Sequence, residues 1–215
     1  MSKNPPVIEW PVEIDYRKLI GERDWNRLHP DIQKRFSLAN AHRSVTYRGI
    51  MSEVYLSFAG KMLAQLCRLI GTPLALYSDS NVPMEVRVYP NAKLCGMTWD
   101  RFYHYAGKRL NRVRSTKCIL PQIGMVEVVG FGFGMHLSVY EQNRAIVFES
   151  QRFFWQLGGF KITIPSLLTP GKTIVKQQAL DAGGFRFSLN VNHALLGRVF
   201  HQVGEFRETW QAATS

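Results

Sequence analysis

The sequence predicts an α+β fold: short N-terminal helices and one long amphipathic helix packed on a large, curved, mainly antiparallel β-sheet or partial barrel. Three observations predict it. Apolar residues recur at helical spacing before residue 76 and with a period of two after residue 80. The strand-like segments follow one another through short turn signals, leaving no room for the crossover helices that parallel strands require. Within those segments one apolar face alternates with one polar face, the mark of a sheet packed on one side and wet on the other.

The 215 residues are read as one domain, 1–215, with an extended arm over 1–15, a helical part containing a short strand over 16–76, and the sheet over 80–207. Pro5, Pro6 and Pro11 keep the arm from forming a regular helix. Tyr16, Leu19 and Ile20 precede Gly21, and Trp25, Leu28, Ile32 and Phe36 recur at spacings of three and four around Pro30, which gives short helical pieces broken before the proline. Val45 to Ile50 reads as a short strand. From Tyr55 to Ile70 the spacing is strongly helical, with Ser57, Lys61, Gln65 and Arg68 on one stripe, Gly71 as terminator and Pro73 preventing continuation. So wide an apolar arc predicts a covered helix, and the sheet is the expected cover, with a lipid headgroup surface as the rival.

Beyond residue 80, Met84, Val86 and Val88 alternate with charged residues, as do Phe160, Ile162 and Ile164, and Phe185, Phe187, Leu189 and Val191 give the cleanest alternation. Further strands are expected over 94–102, 110–118, 124–129, 135–141, 145–155, 173–180 and 200–206. Turn signals at Pro90-Asn91, Gln142-Asn143, Gly158-Gly159, Pro170-Gly171 and Gly183-Gly184 separate them.

Composition narrows the function. Lys and Arg number 27 against 16 acids, a net charge of +11, and the stretch 101–117 holds Arg101, Lys108, Arg109, Arg112, Arg114 and Lys117 with no acid. Such a field attracts polyanions or anionic membranes. The three cysteines, Cys67, Cys95 and Cys118, have no metal-binding spacing and suit a reducing compartment. With no secretory leader and no span free of charge, the chain is expected in the cytoplasm.

Enzymatic motifs are absent. Gly130-Phe131-Gly132-Phe133-Gly134 lacks the spacing and the following helix of a dinucleotide loop, and reads instead as a hairpin or bulge where backbone passes close to aromatic rings. There is no phosphate-binding P-loop, no HExxH and no GxSxG elbow. Glu127 and Glu149 sit in apolar runs: facing inward they would be candidate acids or bases, facing outward they would pair with Arg144, Arg152 or Lys176. The six histidines, His29, His42, His104, His136, His193 and His201, could meet at a metal only from distant segments. No cofactor is expected, and the reading is of a non-enzyme.

Aromatic residues are the most unusual feature of the strand region. They fill the space between sheet and helix, or leave part of it open as an apolar pocket, with Trp99, Phe102, Phe131, Phe133, Phe154, Phe185 and Phe187 as candidate ligand contacts. Arg101, Lys108, Arg109, Arg112 and Arg114 are the candidate anion contacts. The same residues could stack single-stranded nucleic acid, but no RNA-binding signature accompanies them, and that partner is the least favoured.

In order along the chain, several short motifs resemble a family of bacterial proteins known as domain of unknown function number four-one-six-six. They are Leu19-Ile20-Gly21 with Trp25, Leu28 and Pro30; Leu63–Ile70 ending Gly71-Thr72-Pro73; and Trp99 with Arg101 and Phe102. They continue with Gly130–Gly134, Ile164-Pro165 to Pro170, Gly184-Phe185-Arg186-Phe187, Leu196-Gly197 and Val203-Gly204. The resemblance implies a shared fold and, because members also follow saccharopine-dehydrogenase-like NAD(P)-binding domains, a Rossmann-type oxidoreductase as a partner. It brings no activity and no catalytic residue. It also implies an acid near Gln178, where this chain carries an amide. The leading expectation is a non-catalytic module that binds a hydrophobic small molecule or lipid and docks on an anionic membrane surface; an accessory domain of a reductase-like enzyme is the alternative.

Overall fold

The computed structural model describes residues 13–40, 43–69, 74–120, 123–157 and 160–209. The expected arm up to residue 12, the helix terminator at Gly71 and Pro73, and the Gly158-Gly159 turn lie outside them. Three short helices come first: α1 (Tyr16–Ile20), α2 (Glu22–Arg27) and α3 (Pro30–Arg35). Asp15 caps α1 by accepting from the Lys18 N–H, Gly21 separates α1 from α2 at a φ of 82°, and Pro30 opens α3 where its missing N–H costs nothing.

Eleven strands follow: β1 (Val45–Leu56), β2 (Asp79–Asn91), β3 (Gly96–Tyr103), β4 (Asn111–Leu120), β5 (Gly124–Gly130), β6 (Phe133–Gln142), β7 (Ala145–Leu157), β8 (Phe160–Ile164), β9 (Lys172–Ala179), β10 (Phe185–His193) and β11 (Gly197–Thr209). One further helix, α4 (Phe58–Leu69), lies between β1 and β2. Every strand pair is antiparallel.

The sheet is not merely curved but closed. β1 pairs β2 on one side and β11 on the other, and the two arms of the sheet meet where β6 pairs β7. β7 is long enough to serve three neighbours: its first half pairs β9, its second half pairs β8, and β6 runs beside both. β8 hangs outside the closure, paired to β7 alone, which leaves a closed ten-stranded barrel.

This closure corrects the expected arrangement of helix and sheet. Tyr55 and Leu56 belong to β1, and α4 runs for 12 residues rather than forming the long helix around which the sheet would bend. It rests on the barrel's rim against β1 and β11. Its buried face is made of Gly60 and Ala64, while Phe58, Met62 and Leu66 point to solvent. The reason is steric. A Cβ at Gly60 would overlap the Val199 carbonyl oxygen, so the helix backbone lies directly on the strand and its large residues are turned away.

The barrel's two ends differ. In an antiparallel meander, alternate connections fall at the same end. The lower end receives the β2–β3, β4–β5, β6–β7 and β9–β10 turns, and the N-terminal helices close it: α1 and α2 pack on β6, α3 packs on β9, and the His29 N–H donates to the Arg144 carbonyl in the β6–β7 turn. Tyr16, Trp25, Leu28, Ile32 and Phe36 enter the core there, with Tyr16, Phe36 and Phe148 in mutual ring contact. The upper end receives α4, the β3–β4, β5–β6 and β10–β11 turns, the end of β7, the start of β8 and the link from β8 to β9.

Candidate ligand-binding site

Within the barrel, alternation sends Trp99, Arg101 and Tyr103 of β3, Ser115 and Lys117 of β4, and Glu127 of β5 inward. Lys117 and Glu127 are cross-strand partners with Nζ and Oε2 3.1 Å apart; Arg101 reaches Glu127 at 3.8 Å and donates to the Ser115 hydroxyl at 3.0 Å. The Lys117 ammonium also sits 4.3 Å from the Trp99 ring centroid. Burial pushes the Glu127 carboxyl up, but the charges of Lys117 and Arg101 and the Ser115 hydroxyl outweigh it and hold the group below its ordinary value. The carboxylate is therefore a buried counter-ion rather than a proton carrier. Glu149 faces the other way and binds Lys172 at 2.8 Å and the Tyr140 hydroxyl at 2.9 Å, not the arginines or Lys176 expected from the sequence.

At the lower end a cleft of about 40 Å³ separates the N-terminal helices from the barrel wall, with Tyr16, Arg35, Tyr47 and Trp99 among its lining. The Arg35 guanidinium lies in the corner made by the Tyr47 and Phe185 rings, which stand at 89° to each other, its Cζ 3.9 and 3.5 Å from their centroids. Burial draws it down to about 10.

The upper rim has the opposite character. Phe58 on α4, Phe131 in the β5–β6 turn, Phe160 at the start of β8, Leu168 in the link to β9 and Leu195 in the β10–β11 turn are each between 73% and 82% exposed. Met62, Leu66, Leu110, Ile162, Leu167 and Leu196 are exposed beside them. Solitary surface leucines are ordinary, but a ring of apolar tips on six successive connections of one barrel end is not. The tips are fixed in place. Phe131 adopts a φ of 47°, rare for a bulky residue, while its carbonyl accepts from Trp155 Nε1 at 2.9 Å. His193 ties the rim together: its Nδ1 accepts from the Leu195 and Leu196 N–H groups, and its Nε2 lies 3.2 Å from the Leu167 carbonyl oxygen. Lys61, Arg68, Lys108, Arg109, Lys161 and Arg198 are exposed at the same end, and none forms an ion pair among the described residues.

The residues singled out from the sequence do not form one site. Trp99, Phe185 and Phe187 point into the barrel; Phe102 and Phe154 lie on its outer wall; Phe131 and Phe133 belong to the upper rim, where Phe133 stacks on Trp155 at 5.3 Å. Phe154 covers Gly134 so closely that a Cβ there would meet its ring, as the glycine-rich segment suggested. The basic stretch divides likewise. Arg101 is internal, Arg112 and Arg114 are held on the outer wall by Asp100 at 2.5 and 3.2 Å, and Lys108 and Arg109 reach the rim. Sequence reading missed Arg35 and Tyr16, whose surroundings come from strands far along the chain, and the rim leucines, which carry no motif. Among the described residues no three His, Cys, Asp or Glu side chains converge to hold a metal, and no helix is long and apolar enough to cross a membrane.

Fold and site together define a closed antiparallel barrel, with an ion cluster inside and unlike ends. The chain belongs to the family described as a domain of unknown function, DUF4166, whose model matches residues 28–206, from the second helix's end to the last strand. No curated protein and no solved structure matches it.

Proposed function

We propose that this protein is a non-catalytic binding module that docks by its upper rim on an anionic membrane surface and takes a hydrophobic or lipid-like ligand. The observation that carries the reading is the ring of exposed apolar tips at that one end, interleaved with cations that form no ion pair among the described residues. Apolar side chains inserted below the headgroups gain the hydrophobic transfer energy, and lysines and arginines at headgroup level add about 1 kcal/mol each on an anionic leaflet. A protein partner would account for the apolar tips; the cations among them favour lipid.

Flotation with vesicles tests this. The protein is expected to float with phosphatidylcholine vesicles containing 30% phosphatidylglycerol (on the order of an anionic leaflet) and to release them as salt screens the cations. Phe58→Ser combined with Leu195→Ser should abolish flotation without altering the melting temperature, since both side chains are already in water. Equal flotation of that variant would remove the rim from the account.

A further inference from the structure

Two donors at the lower cleft have nothing to donate to among the described residues. Arg35 Nη1 and the Tyr16 hydroxyl are both sealed from solvent, and neither has a hydrogen-bond partner there. Tyr16 is 6% exposed, in a fold that satisfies nearly all its other buried polar atoms. The Tyr47 and Phe185 rings occupy two adjacent sides of the Arg35 guanidinium and offer its N–H groups no oxygen acceptor there. The neighbouring polar side chains are already engaged: the Ser37 hydroxyl and Asn40 Nδ2 both donate to the Lys34 carbonyl, and Arg43 holds Glu208 at 2.7 Å.

Charge points the same way as hydrogen bonding. Among the described residues, the barrel interior and this cleft hold Arg35, Arg101 and Lys117 against the buried carboxylate of Glu127, which is committed to Lys117 and Arg101, while the partly exposed Glu208 acts on Arg35 only through space and is held by Arg43. An uncompensated buried cation is costly, and fold stability alone gives no reason to retain one. The space of about 40 Å³ between these groups exceeds what one water needs and suits a planar group of three heavy atoms. Ile14, Phe36, Val45, Val88 and Met97 are also in the lining, so the atoms next to the charged group would meet apolar side chains.

We propose that the cleft between the N-terminal helices and the barrel binds the carboxylate of an apolar organic acid, with Arg35 and the Tyr16 hydroxyl as its donors. The inference rests on the ligand-binding reading and narrows the ligand from hydrophobic to amphipathic and acidic. A free short acid and a fatty acid share this chemistry, and chain length separates them.

Calorimetric titration of the whole chain in the absence of vesicles, with Trp99 fluorescence as a second signal, tests it. Sodium octanoate should bind saturably, and octanol, with the same tail and no charge, at least about tenfold more weakly, the scale of a charge-assisted hydrogen bond. Palmitate binding more tightly than octanoate assigns the site to fatty acids; hexanoate equalling or exceeding octanoate assigns it to short acids. Tyr16→Phe keeps the ring and removes only the orphaned hydroxyl. It should weaken octanoate about tenfold while raising the melting temperature of the unliganded protein, because a buried unpaired group is gone. A merely structural tyrosine would not couple those two changes. Equal binding of octanol and octanoate, or unchanged affinity in Tyr16→Phe, overturns the site. Because the titration contains no membrane, its failure leaves rim docking standing, and failed flotation leaves this site standing.

Discussion

Glu127 shows how much a single buried charge is asked to do. It neutralises Lys117 directly and faces Arg101 at 3.8 Å, both inside the barrel. Glu127→Gln keeps the shape and strands two cations, which should cost about 3–5 kcal/mol, read by urea denaturation at neutral pH. The same residue sets the acid limit. Its folded pKa lies below the ordinary 4.5, so its contribution is complete above that value and is lost as pH falls through the folded pKa. Glu85, which burial raises but Arg87 and Arg48 lower further, and Glu149, lowered by Lys172, act in the same direction. Stability should therefore fall steeply below about pH 4.5, and the Glu127→Gln variant should show a shallower acid slope than the parent. An unchanged slope would mean that the buried cluster does not control acid unfolding. The sequence placed Glu127 in an apolar run but left its direction open, because direction depends on pairing with Lys117 ten positions away on another strand.

At the level of elements, α4 and the closure of the sheet show what was legible and what was not. The helical spacing around Phe58–Leu69 was plain in the sequence, but the covered face was not, since Gly60 and Ala64 carry almost no hydrophobic signal and Phe58, Met62 and Leu66 carry a strong one. Gly60→Ala tests the arrangement. In an isolated helix alanine is better than glycine by about 1 kcal/mol; here the added Cβ meets the Val199 carbonyl oxygen, and the expected result is a net loss of about 1–3 kcal/mol with faster amide exchange throughout α4. A gain in stability would show that the helix does not lie on β11. Most strands were legible from their period of two, as in Phe185, Phe187, Leu189 and Val191. β1 was seen only to Ile50, because a register shift between Met51 and Glu53 reverses which residues face inward. Closure was invisible for a related reason: it turns on β7 serving β6, β8 and β9 at once, and no local spacing encodes a strand with three partners.

For the molecule as a whole, polarity between its ends is the central claim. One end is stoppered by helices whose aromatic residues enter the barrel; the other displays apolar tips on its connections, among lysines and arginines that form no ion pair among the described residues. A membrane-docking protein needs this asymmetry, and a soluble barrel with no such partner would have had these tips replaced by polar residues. The most direct measurement is the depth of nitroxide labels placed, on a background with Cys67, Cys95 and Cys118 replaced, at Leu195 on the rim and at Leu38 near the helical end. With anionic vesicles, the account predicts that the label at 195 becomes accessible to oxygen and shielded from a water-soluble nickel chelate while the label at 38 stays in water. Equal exposure of both labels to the chelate, in protein that carries its native fold, would contradict it.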